Sequence, residues 1–374
     1  MAETATNTAG VLTASGGGFA QSSPRKRRTA KASVVFFDSL LKWVCRAAGL
    51  TILLMLILPV AVLLRQAWPA IQAYGASFLV TSTWRANELE QPARDAAGEI
   101  IIEGGEAVMT VIPAQFGALP VLYGTAVSSA IALLVAVPFG LAAALFIVRI
   151  APKLKIAGPL SFLIEFLAAI PSLAYGIWGL FVLAPLLSTY VGPTLAKTLG
   201  NIPGFDWMFY QTIIIGGTET RRPISFTGRD MLCGGLVLGI MILPIITAVS
   251  RDVLKNVPRA QIEGSLALGA TWWQSCIEML RYGRAGLFGA VMLGLARAAG
   301  ETMAVTMVIG NNNQIVPSPF APAQTMASLL ANEFAEATTG LHSASLLYVA
   351  LILLAMSLLF NVVARYFVVG KAIK

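Results

Sequence analysis

Two residues of opposite charge stand inside an apolar run near the end of the chain. They are Arg297 and Glu301, in the stretch LARAAGETMAVTMVIG. A charge near the centre of a bilayer costs at least about 2.5 to 3.5 kcal/mol on insertion scales, so each should face a protein interior or a water-filled path. Four apart on one helix, the two would share a face. Either they form a structural ion pair that locks helix packing, or they serve the passage of an anion. In the second case the guanidinium attracts an oxyanion and the carboxylate holds or releases it. Arginine suits that task because its planar donors bind two oxygens at once. Glu301 alone would repel an anion, so its pairing would have to exchange during a cycle.

A second group lies just upstream, in the stretch 251–284. This stretch is polar, mixed in charge and too interrupted to cross a bilayer. It holds Glu263, Gly264, Ser265 and Gly269. Pro258 stands where a helix could begin. Ile262, Leu266, Leu268, Trp272, Trp273, Ile277 and Leu280 give an apolar face at helical spacing. Gly264 and Gly269 leave places without side chains, where another backbone could sit close. An amphipathic helix of this kind either lies on the bilayer surface or inserts into a partner's groove.

The elements that must position these residues are membrane spans. The chain has 374 residues, of which 57% are hydrophobic and only 12% charged, and its mean hydropathy is +0.76. A soluble domain carries roughly 25% charged residues, so the deficit points to an all-α polytopic membrane protein. Six apolar runs are long enough for the roughly 20 residues of a spanning helix. They are Ala47 to Leu64, Leu122 to Val148, Leu160 to Leu187, Met231 to Val249, Leu287 to Ile309 and Ser345 to Val369. Pro138, Pro171 and Pro244 fall inside three of them, which neighbours or water can accommodate. Gly286, Gly289, Gly294, Ala290 and Ala298 offer small positions for close helix packing, and Met303 and Met307 read as core.

The net charge of +8 does not indicate nucleic acid, because the basic residues flank apolar runs and form no interleaved aromatic patch. Instead they set orientation. Six spans place both termini on one side, and that side collects 18 Lys and Arg against seven on the other. The positive-inside rule therefore puts both termini and the 251–284 loop in the cytoplasm. Residues 1–31 read as a disordered basic tail whose Arg25 to Arg28 cluster could bind anionic lipid or, more simply, holds this end in the cytoplasm. Residues 32–65 read as the first span, an uncleaved anchor. Residues 66–120 form an extracytoplasmic loop, with a hairpin hinted around Gly104-Gly105. Residues 121–370 are the main transmembrane domain, and 371–374 a cytoplasmic tail. Glu165 is a third intramembrane ionisable group with no visible partner, placed to snorkel. Cys45, Cys233 and Cys276 show no metal spacing, and His342, the single histidine, builds no metal cluster and reads as a loop or helix-start residue.

Glu263-Gly264-Ser265 followed by Gly269 resembles the EAA-x-x-x-G loop of ABC importer permeases, although Met279-Leu280-Arg281 replaces the usual Ile-x-Leu-Pro. Gly300 to Asn311 is similar to the C-type permease subunit of high-affinity phosphate importers. So are Ala331 to Ala337 with Gly340-Leu341-His342, and Phe116 to Pro120 with Tyr123-Gly124-Thr125. The resemblance covers about Val34 to the end, with 85–115 as an insertion. It implies the type I permease fold with a cytoplasmic coupling helix, and phosphate as the substrate passing Arg297 and Glu301. It also implies a paralogous second permease, an ATPase dimer gripping Glu263, Gly264, Ser265 and Gly269, and an extracytoplasmic phosphate-binding protein. No Walker A pattern occurs, so the chain itself would bind no cofactor, and ATP with Mg²⁺ would sit on the ATPase subunits. Two other classes stay open: an ion-coupled secondary carrier, and a scaffold or sensor in phosphate signalling.

Overall fold

A computed structural model of the chain describes residues 32–92, 102–103, 106–107, 109–200, 202, 204–215, 218–337 and 339–369. The expected tails 1–31 and 371–374 lie outside the described residues. The chain divides into two units, Met1–Leu58 and Pro59–Lys374. The boundary falls at Pro59, inside the first helix, α1 (Ala32–Tyr74). Over residues 37–64 of this helix apolar side chains are exposed on every side, with Ile52 at 70% and Met55 at 72%. A helix apolar on every face is stable only where lipid or protein covers it.

The second unit continues α1 through a 3₁₀ turn, Gly75–Leu79, to a nested hairpin. Strand β1 (Leu89–Pro92) pairs with β4 (Met109–Ile112), and β2 (Ile102–Glu103) pairs with β3 (Glu106–Ala107) across Gly104-Gly105. A two-way bridge between Arg85 and Gln115 closes the base of this excursion. Helix α2 (Leu119–Arg149) follows, with Pro120 in its first turn, where no N–H is needed.

The third expected span is displaced. Residues 157–168 form a separate short helix, α3 (Ala157–Ala168). The chain breaks at Ile170-Pro171, and Pro171 is the N-cap of α4 (Ser172–Trp178). A proline excludes its predecessor from helical geometry, so Pro171 ends one helix and opens the next instead of kinking one span. The spanning segment is Ser172–Leu199. It consists of α4, a π turn (Gly179–Leu183), α5 (Ala184–Leu186), a second π turn (Leu187–Val191) and α6 (Gly192–Leu199). Each π turn comes just before a proline, Pro185 or Pro193, whose missing N–H and bulky ring the widened turn accommodates.

A second hairpin, β5 (Tyr210–Ile215) with β6 (Thr218–Pro223), leads into α7 (Met231–Lys255). Asp230 caps α7 by accepting the Cys233 N–H at 2.8 Å. Burial pushes its carboxyl up from 3.8 to about 6, against the lowering effect of that hydrogen bond. A raised carboxyl pKa favours the protonated folded state. The stability it contributes is therefore full below pH 3.8 and is lost as the pH rises through about 6. Asp230→Asn keeps the acceptor and removes the charge. At pH 8 the variant is expected to unfold at higher temperature in detergent, by a margin on the order of 1–3 kcal/mol that closes as the pH falls towards 4.

The remaining helices are α8 (Arg259–Ala267), α9 (Trp272–Ala299), α10 (Met303–Val308), α11 (Met326–Glu333) and α12 (Gly340–Val369). Among the described residues, five helices are long and apolar enough to cross a membrane: Phe37–Leu79, Leu119–Arg149, Ser172–Leu199, Met231–Lys255 and Gly340–Phe367. The fifth expected span, Leu287 to Ile309, is not one helix: its first part is the end of α9, a 28-residue helix that carries Arg281, Arg284 and Arg297, and its last part is α10. The fold is all-α and polytopic, with three two-stranded hairpin ladders as its extended structure among the described residues.

Helix α7 is the centre of the second unit. It packs closely on α2, where a Cβ at Gly235 would lie 2.6 Å from Ile131 and one at Gly239 3.2 Å from the Ala132 carbonyl oxygen. Small residues replace side-chain contact with backbone proximity, which is how membrane helices gain packing without a hydrophobic drive. Along α9, Gly286 faces Val253 and Gly294 faces Ile246 in the same manner, and Ala290 and Ala298 are buried. Met307 packs at the edge of a core cluster around Ala304 and Val308, whereas Met303 is 58% exposed and is not core. Helix α12 meets α9 through Phe288 and Phe367, with centroids 4.6 Å apart.

Candidate functional site

The first candidate site is the turn between α7 and α9. A single amphipathic helix is not what forms there. Residues 259–267 make the short helix α8, the chain turns at Gly269 with φ +87°, and α9 starts at Trp272. Thr271 and Gln274 form a reciprocal capping box at that start. Residues 272–284, expected in the loop, are therefore the first turns of a helix that continues to Ala299. No proline interrupts Met279-Leu280-Arg281, and the helix passes through it unbroken.

Gly269 is needed because a left-handed φ costs a residue with a Cβ roughly 1–2 kcal/mol. Gly264 is different: a Cβ there would meet nothing within 4 Å. Glu263, Gly264 and Gly269 are all exposed, and Ser265 is half-buried with its hydroxyl donated to the Ile262 carbonyl at 2.8 Å. Gly264 and Ser265 line a groove of about 1620 Å³ between α8 and α9, together with Met279 and Arg281. Glu263 and Gly269 are outside its lining. Arg149, at the end of α2, braces this region by donating to Ser275 Oγ at 3.3 Å and by lying over the Trp272 ring at 5.9 Å.

The second candidate site is the Arg297 and Glu301 pair, and here the expectation of one continuous helix fails. Helix α9 ends at Ala299 with Gly300 as its C-cap, and α10 starts only at Met303. Gly300 is a poor helix former. Glu301 then turns its carboxylate to the backbone, accepting the Ala304 N–H at 3.4 Å. The two residues consequently do not share one helical face. No ion pair joins them among the described residues, and Arg297 is exposed with neither a hydrogen bond nor a charged partner. Glu301 is half-buried. A packing ion pair is thus not what this structure contains.

Glu165 has the partner that its sequence neighbourhood could not reveal. Its Oε1 lies 3.1 Å from Arg251 Nη1, and Arg251 Nε donates to Asp252 Oδ1 at 2.9 Å. Arg251 is buried while both carboxylates are largely exposed. The pair ties α3 to the end of α7 nearest the α8 turn.

His342 does more than begin a helix. It does start a helix, in the first turn of α12, but it is buried, at 5% exposure. It stacks on Phe116 at 5.2 Å, and its Nε2 lies 3.2 Å from Glu333 Oε2. The same oxygen accepts Trp84 Nε1–H at 2.8 Å, and Glu333 Oε1 accepts from Asn313 Nδ2 at 3.4 Å. One carboxylate thus joins four separate segments. The sequence signal for it was only that Trp84, Glu333 and His342 are polar-edged residues in otherwise apolar or loop surroundings.

The segment 136–370 matches the family described as binding-protein-dependent transport system inner membrane component. The chain is 37% identical over 330 residues to the phosphate transport system permease protein PstC of Mesorhizobium japonicum, covering 88% of this chain and 89% of that protein. It is 36% identical over 331 residues to the PstC of Haemophilus influenzae, covering 88% and 92%. To the probable PstC of Methanocaldococcus jannaschii it is 32% identical over 302 residues, covering 80% and 84%. By the extent of these matches and by its all-helical polytopic fold, the chain belongs to the binding-protein-dependent transport inner-membrane family, alongside the phosphate transport system permeases.

Proposed function

We propose that the chain is one of two paired permease subunits of an ATP-driven importer that moves inorganic phosphate across the cytoplasmic membrane. The observation that carries this reading is Arg297, an exposed and unpaired guanidinium near the end of a long helix packed among spans. Such a charge cannot rest against lipid. It calls for a water-filled path or a second subunit that encloses one, and a guanidinium in that position suits a tetrahedral oxyanion. Relatives that share nearly the whole chain are phosphate permeases, which selects phosphate from the oxyanions an arginine would accept.

In this reading Glu301 is the release element. Its carboxylate, engaged with the α10 backbone, can exchange towards Arg297 once phosphate leaves. ATP and Mg²⁺ sit on a separate ATPase dimer, which grips Glu263, Gly264, Ser265 and Gly269 and shifts the equilibrium between inward-open and outward-open states. An extracytoplasmic binding protein delivers phosphate to the opposite face, and lipid surrounds α1. Orientation follows from charge. Arg149 reaches the start of α9, Arg259, Arg281 and Arg284 lie on α8 and α9, and Lys153 and Lys155 follow α2 in the chain; the positive-inside rule assigns such a basic side to the cytoplasm.

The test is labelled-phosphate uptake in cells lacking their own importer, with the chain and its partner subunits expressed together. Uptake is expected to require the ATPase subunits. Uptake that persists without them would overturn the importer and favour an ion-coupled carrier.

A further inference from the structure

Tyr123, Gly124 and Thr125 are three successive residues of α2, and each meets the chain between α10 and α11. The Tyr123 hydroxyl donates to the Val316 carbonyl at 3.3 Å. A Cβ at Gly124 would collide with the Gln324 carbonyl, so the two backbones touch directly. Thr125 is buried, and its Oγ1 accepts the Met326 N–H at 3.0 Å. That stretch of chain is in turn bonded to the end of α10. The Ala323 N–H donates to the Ile309 carbonyl at 3.0 Å, and the Asn312 N–H donates to the Ala323 carbonyl at 3.2 Å. Glu301 engages the other end of α10, through the Ala304 N–H.

The opposite end of α2 meets the start of α9. Arg149, in the last turn of α2, donates to buried Ser275 and lies over Trp272, the first residue of α9 after the Gly269 turn. This joint is only half made. The Ser275 bond, at 3.3 Å, is long for an N–H donor, and Arg149 Nε is buried with no partner among the described residues. A guanidinium so held gives up little when it changes partners, so the contact suits more than one position. Between the two joints, α2 has 31 residues and is about 46 Å long at 1.5 Å per residue. Pro138 interrupts its backbone bonding midway. Helix α7 covers it on both sides of that point, with Gly235 against Ile131 and Gly140 against Ile246.

We infer that α2 is the connecting rod of the transport cycle, with Arg149 as its joint to the ATPase dock and Tyr123-Gly124-Thr125 as its joint to α10. This rests on the importer reading above. Coupling between distant sites is carried by chains of packed side chains and hydrogen bonds on rigid elements. Here one such chain is continuous. A displacement of the α8 turn enters α2 through Trp272 and Ser275. It leaves through Gln324 and Met326, and passes by Ala323 and Ile309 to α10 and Glu301. The direct backbone contact at Gly124 leaves no slack at the second joint. Arg149 and Thr125 are positioning residues, and neither needs to touch phosphate.

The experiment uses the complete transporter in proteoliposomes with its binding protein, reading phosphate imported per ATP hydrolysed. Arg149→Gln and Thr125→Val are each expected to cut that ratio by about tenfold, with the ATPase subunits still co-purifying. Arg149→Lys and Thr125→Ser keep the charge and the hydroxyl, and should stay within about threefold of wild type. The double variant Arg149→Gln with Thr125→Val decides the matter. Two breaks in one rod remove the same coupling, so it too should fall by about tenfold, whereas independent damage would multiply to about 100-fold. Should buried Thr125→Val fail to reach the membrane, Tyr123→Phe takes its place, with an expected cut of about threefold. An unchanged ratio in Arg149→Gln would overturn the rod, and so would a multiplicative double variant. Release of the ATPase subunits by Arg149→Gln would overturn it as well, and would make that residue part of the dock. Absence of ATP-dependent phosphate uptake by the wild-type chain would instead sink the importer reading itself.

Discussion

Arg297→Gln is expected to lower ATP-dependent phosphate uptake by about 100-fold, with the full complex still assembled. Two observations make this a clean test. Arg297 makes no hydrogen bond and no ion pair among the described residues, so its removal breaks no contact there. It is also exposed in the last turn of α9, where its charge complements the carbonyl end of the helix, a contribution of about 0.3–1 kcal/mol. The variant should therefore unfold within a few degrees of wild type. Arg297→Lys keeps the charge and loses the two-oxygen geometry, so it should fall between the two. Wild-type uptake by Arg297→Gln would remove the residue from the path altogether. Uptake lost together with membrane abundance would point to a structural role, contrary to its lack of partners.

Gly264→Trp is expected to release the ATPase subunits and reduce uptake to background, leaving the permease folded. The site is open, since a Cβ there meets no atom within 4 Å. A side chain there therefore starts into open space at the groove between α8 and α9, which its bulk would occupy. Glu263→Lys, on an exposed residue, tests the same dock by charge. Gly269→Val is the contrasting control. It forces a β-branched residue to φ +87°, so it should distort the turn itself and cost roughly 1–2 kcal/mol locally. Co-purification of the ATPase subunits with each variant separates the outcomes. Retained binding and full uptake in Gly264→Trp would move the proposed dock elsewhere on the chain.

Much of the architecture was legible from the amino-acid sequence, because its causes are local. A bilayer demands about 20 apolar residues per helix, and such runs stand out whatever surrounds them. The alternation around 100–112 hinted at a hairpin, and a short ladder of 102–103 with 106–107 is there, but 109–112 pairs instead with the distant 89–92. The start of α8 was visible because Pro258 fixes its own backbone angle and favours a helix start after it, whereas the turn at Gly269 was not, since the apolar spacing runs on through it. The resemblance to importer permeases rested on such contiguous segments.

What only the tertiary structure decided was everything that depends on competition or on distant partners. The run Leu287 to Ile309 reads as one helix because a single glycine costs only about 1 kcal/mol there. The break at Gly300 arises because the Glu301 carboxylate takes a backbone N–H and α10 packs against its own neighbours. Pro171 gave no hint of whether it would kink one span or divide two helices. Glu165 and Arg251 are 86 positions apart, and Trp84 and Glu333 are 249 apart. No periodicity links such residues, since periodicity reports which face a side chain occupies and never what lies opposite. Arg297 shows the division most plainly. Its composition and position in an apolar run declared a charge that needs an explanation, but only the folded chain showed that Glu301 does not neutralise it.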